Sequence, residues 1–505
     1  MIWRLVTPVC SLPPRTPRSV TRNSSSLLEK LRSPTVSDCS ALAALVDEGT
    51  IVTAEDDPDL LARHNVDWKR EYHGRSTVLL RPRTTAELSG ILSYCHVERL
   101  GVVPQAGNTG LVGGSVPVAD EIIVSVARMN QIHGLDRTSG ILTCDAGCIL
   151  SDLHNYTADR DHLVPIDLGA KGSCMIGGNV STNAGGQYFY RFGSLKGNVL
   201  GLEVVLADGT VLDLTNTNRK DNTGYDLKQL FIGAEGSLGI ISKINLSCPR
   251  LPSSRNTAFL ALENFDAVRR TLRLAKAELG ECLAAFEFMD RAILDLVSKS
   301  RAIPISMDGS TLYPFYVLVE TQGSNGEHDS EKMATFLERA MSTLDVVDGI
   351  LSQDIQQVEE MWAIREACNP AVASEGRVYK YDISIPVSDY YEIVEEMKSR
   401  LGPARPDALV VNWGHVIDSN LHFNVTTPGM FEEDPEIVSL IEPYLFESVV
   451  RRKGSISAEH GLGQCKNEYL GTLAKSPTAV SKMRAIKQLF DPHYILSPGK
   501  YLPAK

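Results

Sequence analysis

Apolar and polar positions alternate with a period of two residues in several segments of the second half of the chain, which predicts β-strands there. These segments are 257–262, 286–288, 313–320, 378–385 and 409–426, and the last is predicted to hold two strands joined by a turn. Apolar residues recur at helical spacing at 265–279, 331–341, 389–401 and 477–490. The order of these elements predicts an antiparallel sheet with helices on one face.

The first half, residues 76–250, is rich in β-type segments and in glycine. Thr84, followed three residues later by Glu87, predicts the start of a helix that runs through Cys95. The alternating segment 202–214 surrounds an Asp-Gly pair, which is typical of a hairpin turn. A glycine-rich turn is predicted at 231–241, and the uncharged stretch 172–190 is predicted to be a loop.

A chain of 505 residues, 43% of them hydrophobic, is long enough for two or three domains. The formal net charge of -12 argues against nucleic acid as a partner. No run of about 18 apolar residues occurs, so no membrane span is predicted. The ten cysteines are scattered and form no Cys-x-x-Cys pair, which indicates reduced thiols in an intracellular compartment.

The first 35 residues differ in composition from the rest of the chain. They contain six basic residues and one acid, Glu29, together with several serines and threonines. An Arg- and Ser-rich start with few acids is typical of a mitochondrial transit segment, which we predict over residues 1–35. The alternative interpretation is a disordered tail.

Two glycine-rich segments, 104–114 and 176–186, mix glycine with uncharged hydrogen-bonding residues. Glycine lets the backbone approach a ligand closely, so that successive N–H groups can face an anion. The Gly-x-Gly-x-x-Gly motif of Rossmann dinucleotide sites does not occur in the sequence. Each segment alone is compatible with a tight surface loop, but two such segments in one β-rich domain predict a diphosphate site.

Four residues near the C-terminal end form a candidate metal site. His415 and His422 lie seven residues apart, and Glu459 is followed directly by His460. Two imidazoles and a carboxylate suit a metal such as zinc, with its fourth position open for a reactant, and His460 is then available to take a proton. The alternative interpretation is that these residues belong to an ordinary hairpin and a solvated turn.

The segments 104–114, 177–186, 202–210 and 233–241 together resemble the FAD-binding domain of the vanillyl-alcohol oxidase and p-cresol methylhydroxylase superfamily. The motifs at 362–366, 379–382, 414–424 and 457–463 resemble the branch that contains D-2-hydroxyglutarate and D-lactate dehydrogenases. This resemblance implies an α+β fold with three parts after the transit segment. They are a two-lobed FAD-binding domain at 45–252, a substrate-binding cap domain at 257–450 with an antiparallel sheet flanked by helices, and a helical segment at 451–505 that returns to the FAD domain.

The resemblance also implies which residues bind the cofactor. Some relatives tether the flavin through a histidine where this chain has Asn108, so FAD is expected to be non-covalent. The pyrophosphate is expected at the first glycine-rich segment, the flavin at the second, and the adenosine or the ring near Glu235 and Ile240. The implied residues are Gly107, Asn108, Thr109, Gly110, Gly113, Gly114, Gly178, Asn179, Thr182, Ala184, Glu235 and Ile240.

The reaction implied by the resemblance is hydride removal from the α-carbon of a D-2-hydroxy acid, with D-2-hydroxyglutarate giving 2-oxoglutarate. FAD would take the hydride, and the electrons would pass to electron-transfer flavoprotein. A metal would lower the pKa of the substrate hydroxyl. The implied zinc ligands are His415, His422 and Glu459, and the implied base is His460, because an imidazole suits proton transfer near neutral pH.

By the same resemblance, Arg365 and Lys380 grip carboxylates, and Asn369, Asn424 and His460 also contact the substrate. Taken by itself, Arg365 is compatible with a charge on the solvated face of an amphipathic helix. Lys380 alone is compatible with a strand residue that faces solvent.

The chain departs from the family pattern at four positions. Glycine is usual where this chain has Ala106, Ile417 and Ser419, and threonine is usual in place of Asn369. Because a β-branched residue disfavours positive φ, Ile417 is expected in a β conformation. These departures leave open a D-lactate or broader D-2-hydroxyacid dehydrogenase and, more distantly, an inactive binding module with the FAD fold. Assembly as a homodimer is also left open.

Overall fold

The computed structural model of the chain describes residues 31–305 and 311–503. Residues 1–30, which hold most of the predicted transit segment, lie outside the described residues. Helices and three β-sheets make up the described chain, as expected for an α+β protein. The nine cysteines of this part are all unpaired. No helix among the described residues is long and apolar enough to cross a membrane.

The predicted helices at 265–279, 331–341, 389–401 and 477–490 are confirmed, with some differences at their ends. The α-helices of the described residues are Val36–Ala43, Pro58–His64, Thr85–Glu98, Leu150–Ala158, Ile176–Thr182, Phe189–Phe192, Leu195–Asn198, Lys228–Phe231, Phe265–Glu278, Arg291–Val297, Gly326–Ser342, Ile355–Glu366, Cys368–Glu375, Glu392–Leu401, Pro435–Ile441, Tyr444–Arg451, Asn467–Tyr469 and Pro477–Phe490.

Two sheets share one hydrophobic core in the first half of the described chain. The strands β1 (Ile51–Thr53), β2 (Val78–Leu80), β3 (Val102–Gln105) and β4 (Ile122–Ser125) form a mixed sheet in the order β1-β2-β4-β3. The strands β5 (Ile132–Asp136), β6 (Ile141–Asp145), β7 (Val199–Val205), β8 (Val211–Leu214) and β9 (Ile240–Ser247) form an antiparallel sheet in the order β5-β6-β9-β7-β8. Leu80 of the first sheet and Leu246 of the second belong to the same buried core.

Local sequence signals in this half are confirmed at two places. The Thr84 side chain accepts a hydrogen bond from the Glu87 N–H and begins the predicted helix, Thr85–Glu98. The strands β7 and β8 pair as the predicted hairpin, and Gly209 between them has a φ of 87°.

The predicted loop at 172–190 is wrong, because it contains the helices Ile176–Thr182 and Phe189–Phe192. Ile176 and Val180 lie one helical turn apart and are both fully buried. Their burial outweighs the low helix propensity of the two glycines between them.

The third sheet has seven strands and contains every strand predicted for the second half. Its strands are β10 (Ser254–Leu262), β11 (Leu283–Asp290), β12 (Phe315–Gly323), β13 (Asp348–Leu351), β14 (Gly376–Ser384), β15 (Leu409–His415) and β16 (Asn420–Pro428). Their order is β13-β10-β12-β11-β15-β16-β14, and each neighbouring pair is antiparallel.

Helices cover both faces of the seven-stranded sheet, so the prediction that they lie on one face is wrong. On one face, the helices Phe265–Glu278, Gly326–Ser342 and Glu392–Leu401 pack against Phe288 and Phe423. On the opposite face, the helices Arg291–Val297, Ile355–Glu366 and Cys368–Glu375 pack against Trp413 and Tyr316. Because helices bury both sides of the sheet, β12 carries apolar side chains toward both, with Val317 and Val319 in the first core and Tyr316 and Leu318 in the second.

Strand alternation places the candidate-site residues of β11, β14, β15 and β16 on one face. Phe288, Tyr381 and Phe423 lie in the core of the first face. Side chains next to them in sequence point the other way, because successive strand residues face opposite sides of a sheet. The second face therefore presents the polar residues Glu287, Lys380, Asp382, His415, His422 and Asn424.

The turn between β15 and β16 differs from the expectation for Ile417. Val416–Asp418 forms a 3-10 turn, so the β conformation expected for Ile417 is wrong. The Ile417 side chain is buried against the first face of the sheet. The positive φ of the turn falls instead on Ser419, at 72°.

Ile417 and Ser419 both stand where glycine is usual, and the turn predicts that glycine at these two positions has opposite effects on stability. A left-handed conformation costs a non-glycine residue about 1–2 kcal/mol, while glycine loses about 0.5–1 kcal/mol more entropy on folding. Ser419→Gly is therefore expected to leave the free energy of unfolding unchanged or to raise it by up to about 1.5 kcal/mol. Ile417→Gly, the matched control, should lower it by about 3–5 kcal/mol because a buried side chain is lost. Urea denaturation measures both changes, and a destabilised Ser419→Gly variant would contradict the assignment of strain.

Candidate active site

The two glycine-rich segments line one cleft of about 900 Å³, part of which is open to solvent. The predicted cofactor residues in its lining are Gly107, Asn108, Thr109, Gly110, Gly114, Gly178, Asn179, Thr182, Glu235 and Ile240. Gly113 and Ala184 lie outside the lining.

Close backbone packing explains the glycine at position 107. A Cβ atom at Gly107 would lie 2.2 Å from the Ser173 carbonyl oxygen, so only glycine fits there. Asn108 follows in a left-handed conformation with a φ of 52°. Its side-chain amide donates to the Val66 carbonyl and accepts from the Ser115 hydroxyl, which closes the loop. The first segment is therefore held rigidly along the wall of the cleft.

The cleft has features that fit a large ligand with polar groups. The Asn179 side-chain oxygen lines the cleft and is buried without a hydrogen-bond partner among the described residues. A Cβ atom at Gly110 would meet no atom within 4 Å, so the backbone is open to a ligand there. A dinucleotide such as FAD is of a size and polarity that suit this lining.

Glu235 joins a distant segment to the cleft. Its carboxylate accepts hydrogen bonds from the backbone N–H groups of Leu462 and Gly463, at 2.7 Å and 2.8 Å. Burial raises the pKa of Glu235, and these two donors oppose that shift. The sequence motif at 457–463 thereby reaches the wall of the cofactor cleft, and His460 belongs to the lining.

Four side chains beside the cleft could hold a metal ion. Ligand atoms of Asp382, His422, Glu459 and His460 all lie within 4.8 Å of one another. The rings of His422 and His460 are nearly parallel, with centroids 5.9 Å apart. Their Nε2 atoms lie 3.9 Å and 3.8 Å from the Glu459 Oε1 atom, so all three groups converge on one point. Imidazole and carboxylate donors of this kind suit zinc.

Asp382 organises this cluster, and sequence reasoning gave it no role. One of its oxygens accepts hydrogen bonds from the backbone N–H groups of residues 458–460. The other accepts from the Asn420 amide. The Nδ1 atoms of His422 and His460 each lie 3.8 Å from this carboxylate. Burial opposes ionisation, but the neighbouring histidines, Lys466 and these donors hold the pKa of Asp382 below its usual range.

The oxygens of Asp382 are engaged by these donors, and the carboxylate lies 3.8 Å from both imidazoles. Burial, together with the charge of His415, lowers the pKa of His422 and keeps its ring neutral. The neutral ring is the form that binds a metal.

His415 lies at the side of the four-residue cluster, with its ring centroid 5.3 Å from that of His422. Its Nδ1 atom is 2.5 Å from the Oε1 atom of Glu287, a buried residue that sequence reasoning also missed. Burial disfavours the charged ring, but the Glu287 carboxylate outweighs it and raises the pKa of His415 to about 9. Because Glu287 engages Nδ1, Nε2 is the atom of His415 that remains for a ligand.

Arg365 does not lie on a solvated helix face, so that alternative is wrong. It is only 9% exposed, and its Nε atom donates to the Glu287 Oε2 atom at 2.7 Å. The helix Ile355–Glu366 therefore places this guanidinium on the polar face of the sheet, next to His415.

Lys380 and the two asparagines lie together on the same face. The Lys380 ammonium donates to the Asn369 side-chain oxygen at 2.9 Å. Lys380 and Asn424 are directly opposite each other on β14 and β16, and the Asn424 amide donates to the His422 carbonyl. Burial, together with the nearby charge of Lys69, lowers the pKa of the half-buried Lys380 to about 8, and Glu71 opposes this shift. Lys380 and Asn424 therefore lie on the sheet face that also carries Asp382 and His422.

A hydrogen bond joins the cluster directly to the second glycine-rich segment. The Gly186 N–H donates to the Glu459 Oε2 atom at 2.8 Å, while Oε1 faces the two imidazoles. A Cβ atom at Gly185 would lie 2.7 Å from the same Oε2 atom. The main chain of the cleft wall thus fixes the orientation of the Glu459 carboxylate.

Two family models match the chain. The model of an FAD-binding domain matches residues 76–215, and the model of the C-terminal domain of FAD-linked oxidases matches residues 251–501.

The chain is similar to proteins of known description over nearly its whole length. The chain is 50% identical to the mitochondrial D-2-hydroxyglutarate dehydrogenase of Danio rerio, over 93% of this chain and 86% of that protein. It is 48% identical to the mitochondrial D-2-hydroxyglutarate dehydrogenase of Bos taurus, over 98% and 89%. It is 44% identical to a putative mitochondrial D-lactate dehydrogenase of Schizosaccharomyces pombe, over 90% and 88%.

Solved structures share the fold at low sequence identity. p-Cresol methylhydroxylase with substrate bound superposes with a TM-score of 0.72 at 15% identity, covering 96% of this chain and 98% of that one. Alkyldihydroxyacetonephosphate synthase superposes with a TM-score of 0.72 at 14% identity, covering 93% and 87%. At this identity the likeness establishes the fold, which is the expected vanillyl-alcohol oxidase type.

The contact between the cleft wall and Glu459 predicts a metal-binding defect in Gly185→Ala. The added methyl group would push the carboxylate away from the Gly186 N–H and from the imidazoles. We expect zinc affinity to fall about 10- to 100-fold, the usual effect of losing a group that orients a ligand, while flavin content is retained. Competition with a chromophoric chelator measures the affinity.

Gly172→Ala is the matched control, because a Cβ atom there would meet no atom within 4 Å. Equal zinc affinity in Gly185→Ala and in the control would contradict the assigned role of the cleft wall.

Proposed function

The chain belongs to the FAD-linked oxidases, within the family of the D-2-hydroxyglutarate dehydrogenases, and we propose that it oxidises D-2-hydroxyglutarate to 2-oxoglutarate. It is an FAD-dependent oxidoreductase. One observation supports the specific reaction above all others. His460 lines the cofactor cleft, and its Nε2 atom lies 3.8 Å from Glu459 in the candidate metal cluster. A proton acceptor, a cofactor cleft and a metal-type donor set therefore meet at one place.

We assign FAD to the cleft between the two glycine-rich segments, held without a covalent bond. When bound, FAD accepts the hydride from the substrate. The polar, close-packed wall at 107–114 suits the pyrophosphate, and Asn179 offers its unpartnered oxygen to the ring system. Asn108 has its side chain engaged by Val66 and Ser115 and offers no tethering imidazole.

We assign zinc to His415, His422 and Glu459. When bound, a zinc ion polarises the substrate hydroxyl as a Lewis acid. Each proposed ligand is oriented by a neighbour: Glu287 on His415, Asp382 on His422, and the Gly186 N–H on Glu459. Such neighbours fix the tautomer or the direction of a ligand and raise its affinity.

We assign the base to the Nε2 atom of His460. The Nδ1 atom faces Asp382 at 3.8 Å, and Nε2 lies on the side of Glu459, 3.8 Å from its Oε1 atom. The anionic Asp382 also stabilises the imidazolium that forms when Nε2 takes the hydroxyl proton. Removal of that proton leaves the α-carbon able to release its hydride toward the cleft.

We assign the substrate carboxylates to Arg365 and Lys380, assisted by Asn369 and Asn424. Arg365 is directed by its Nε bond to Glu287, and Lys380 by its bond to Asn369. These two cations lie on the same face of the sheet as the histidines, which suits an anion held at both of its ends.

The remaining assignments follow the family. We propose domain boundaries at 45–252, 257–450 and 451–505, a mitochondrial location with a transit segment at 1–35, and electron-transfer flavoprotein as the electron acceptor. The names of the relatives support the location.

A second candidate is the oxidation of D-lactate, which is favoured by the relative described as a putative D-lactate dehydrogenase. D-lactate has a methyl group where D-2-hydroxyglutarate has a charged arm. Two cations, Arg365 and Lys380, favour a dicarboxylate, because D-lactate has only one carboxylate and would leave one of them without a substrate anion.

The proposed reaction predicts that anaerobic D-2-hydroxyglutarate bleaches the flavin absorbance of the zinc-loaded protein in one rapid phase. His460→Asn keeps the size of the ring and one donor but removes the base. Its bleaching rate should fall about 10²- to 10⁴-fold, the usual contribution of a general base, while zinc and FAD contents stay unchanged. Stopped-flow absorbance measures the rates.

Faster bleaching by D-lactate than by D-2-hydroxyglutarate would replace the first candidate with the second. Loss of zinc from His460→Asn would make His460 a ligand rather than the base.

The lowered pKa of Lys380 predicts how the preference for the dicarboxylate changes with pH. Lys380 is charged below about pH 8 and neutral above it. The ratio of kcat/KM for D-2-hydroxyglutarate to that for D-lactate should therefore fall as the pH rises through about 8. At pH 7, Lys380→Met should lower this ratio at least about tenfold, because a charged hydrogen bond contributes about 1.5–3 kcal/mol.

Lys380→Arg is the control, since its guanidinium stays charged and should remove the pH dependence of the ratio. A ratio that does not respond to pH or to Lys380→Met would leave Arg365 as the residue that selects the dicarboxylate.

A further inference from the structure

We propose that Glu287 is a positioning residue that joins the substrate-carboxylate grip to the metal site. The inference rests on the proposed function and goes beyond it, because it concerns a residue that touches neither the substrate nor the cofactor. Its basis is one buried carboxylate whose two oxygens are divided between Arg365 and His415.

Because Glu287 is fully buried, its carboxylate interacts with groups inside the protein and not with solvent. The residue is fully buried on β11, on the polar face of the seven-stranded sheet. Its Oε1 atom lies 2.5 Å from His415 Nδ1, and its Oε2 atom accepts from Arg365 Nε at 2.7 Å. A buried carboxylate requires such donors, because its desolvation costs several kcal/mol.

The bond to His415 sets the tautomer of the proposed ligand. A carboxylate accepts but does not donate, so Nδ1 must carry a hydrogen. A metal that displaces the Nε2 proton then binds the lone pair of Nε2. The same bond fixes the plane of the ring, which cannot turn without breaking it.

The bond to Arg365 sets the direction of the guanidinium. Only Nε is used by Glu287, and the two terminal nitrogens make no hydrogen bond to any other described residue. A guanidinium presents its donors in a rigid plane, so fixing Nε also fixes the edge that can meet a carboxylate.

Because Arg365 and His415 share the Glu287 carboxylate, the substrate-carboxylate site and the metal site are coupled. A shift of Arg365 toward a bound carboxylate moves Glu287 and, with it, His415. Coupling of this kind is reciprocal, so substrate binding and zinc binding should each respond to the loss of Glu287.

The chain offers a matched control in Glu320. This residue is also fully buried, lies on the same face of the same sheet and accepts from Arg255 Nε at 2.7 Å. Its further partners include Trp362 and Tyr188, and none of its described hydrogen bonds involves a histidine. If Glu287 only neutralised a buried arginine, substitution at either position would have the same effect on the metal site.

The test compares Glu287→Gln with Glu320→Gln as FAD-loaded, full-length proteins. Glutamine has one acceptor oxygen, so its amide group faces either Arg365 Nε or His415 Nδ1. An amide that faces His415 forces the hydrogen onto Nε2 and blocks the ligand atom.

We expect zinc affinity, measured by competition with a chromophoric chelator, to fall 10- to 100-fold in Glu287→Gln. Affinity for 2-oxoglutarate, followed by flavin absorbance in zinc-free protein, should fall on the order of tenfold. In Glu320→Gln both affinities should stay within about threefold of the wild type.

Four results would overturn the inference. Unchanged zinc affinity in a folded, flavin-loaded Glu287→Gln protein is the first, and equal losses in both variants is the second. If Glu287→Gln loses its flavin, Glu287→Asp keeps the charge but shortens the reach, and it should still lose zinc affinity with flavin retained. The third result is wild-type zinc affinity in that variant. A wild-type protein that binds no zinc would overturn the zinc assignment itself, together with this inference.

Discussion

The candidate active site depends on the desolvation of two carboxylates on one face of the seven-stranded sheet. Glu287 and Asp382 are both buried, and an ionised carboxylate in such a place needs hydrogen-bond donors from outside its own strand. Glu287 binds Arg365 and His415, and Asp382 binds the backbone at 458–460. These bonds bring three elements to the same face of the sheet: the helix Ile355–Glu366, the end of β15 at His415, and the segment 458–460. The cluster of imidazoles is a result of that requirement.

Sequence patterns predicted most elements of the sheet and its helices, because strand and helix periods are local properties of the chain. They also singled out His415, His422, Glu459 and His460, which the fold brings into one neighbourhood. They failed where burial is decided by distant contacts. The glycine-rich segment at 176–182 becomes a helix because Ile176 and Val180 enter a core built from other strands. The sheet is covered on both faces because the helices at 291–297 and 368–375 fill the side that the pattern left open.

The two carboxylates that sequence reasoning missed, Glu287 and Asp382, have a weak signal that could have found them. Each lies between two apolar residues on a predicted strand, in the stretches 286–288 and 381–383. An acid at such a position is rarely buried without a partner. Its partners, however, come from segments 78 residues away for Arg365 and Glu287, and 76–78 residues away for the backbone and Asp382. No spacing rule along the chain connects groups so far apart.

The strict alternation along β14 and β16 limits how the chain length of this region can vary. The two strands pair over nine residues without a bulge, whereas β11 and β12, β5 and β6, and β7 and β9 each contain a register shift. An insertion or deletion of a single residue within β14 or β16 would turn Lys380 and Asp382, or His422 and Asn424, to the opposite face. Relatives that keep this site are therefore expected to differ in length at loops and at the bulged strands, and to keep the number of residues from 376 to 384 and from 420 to 428 constant.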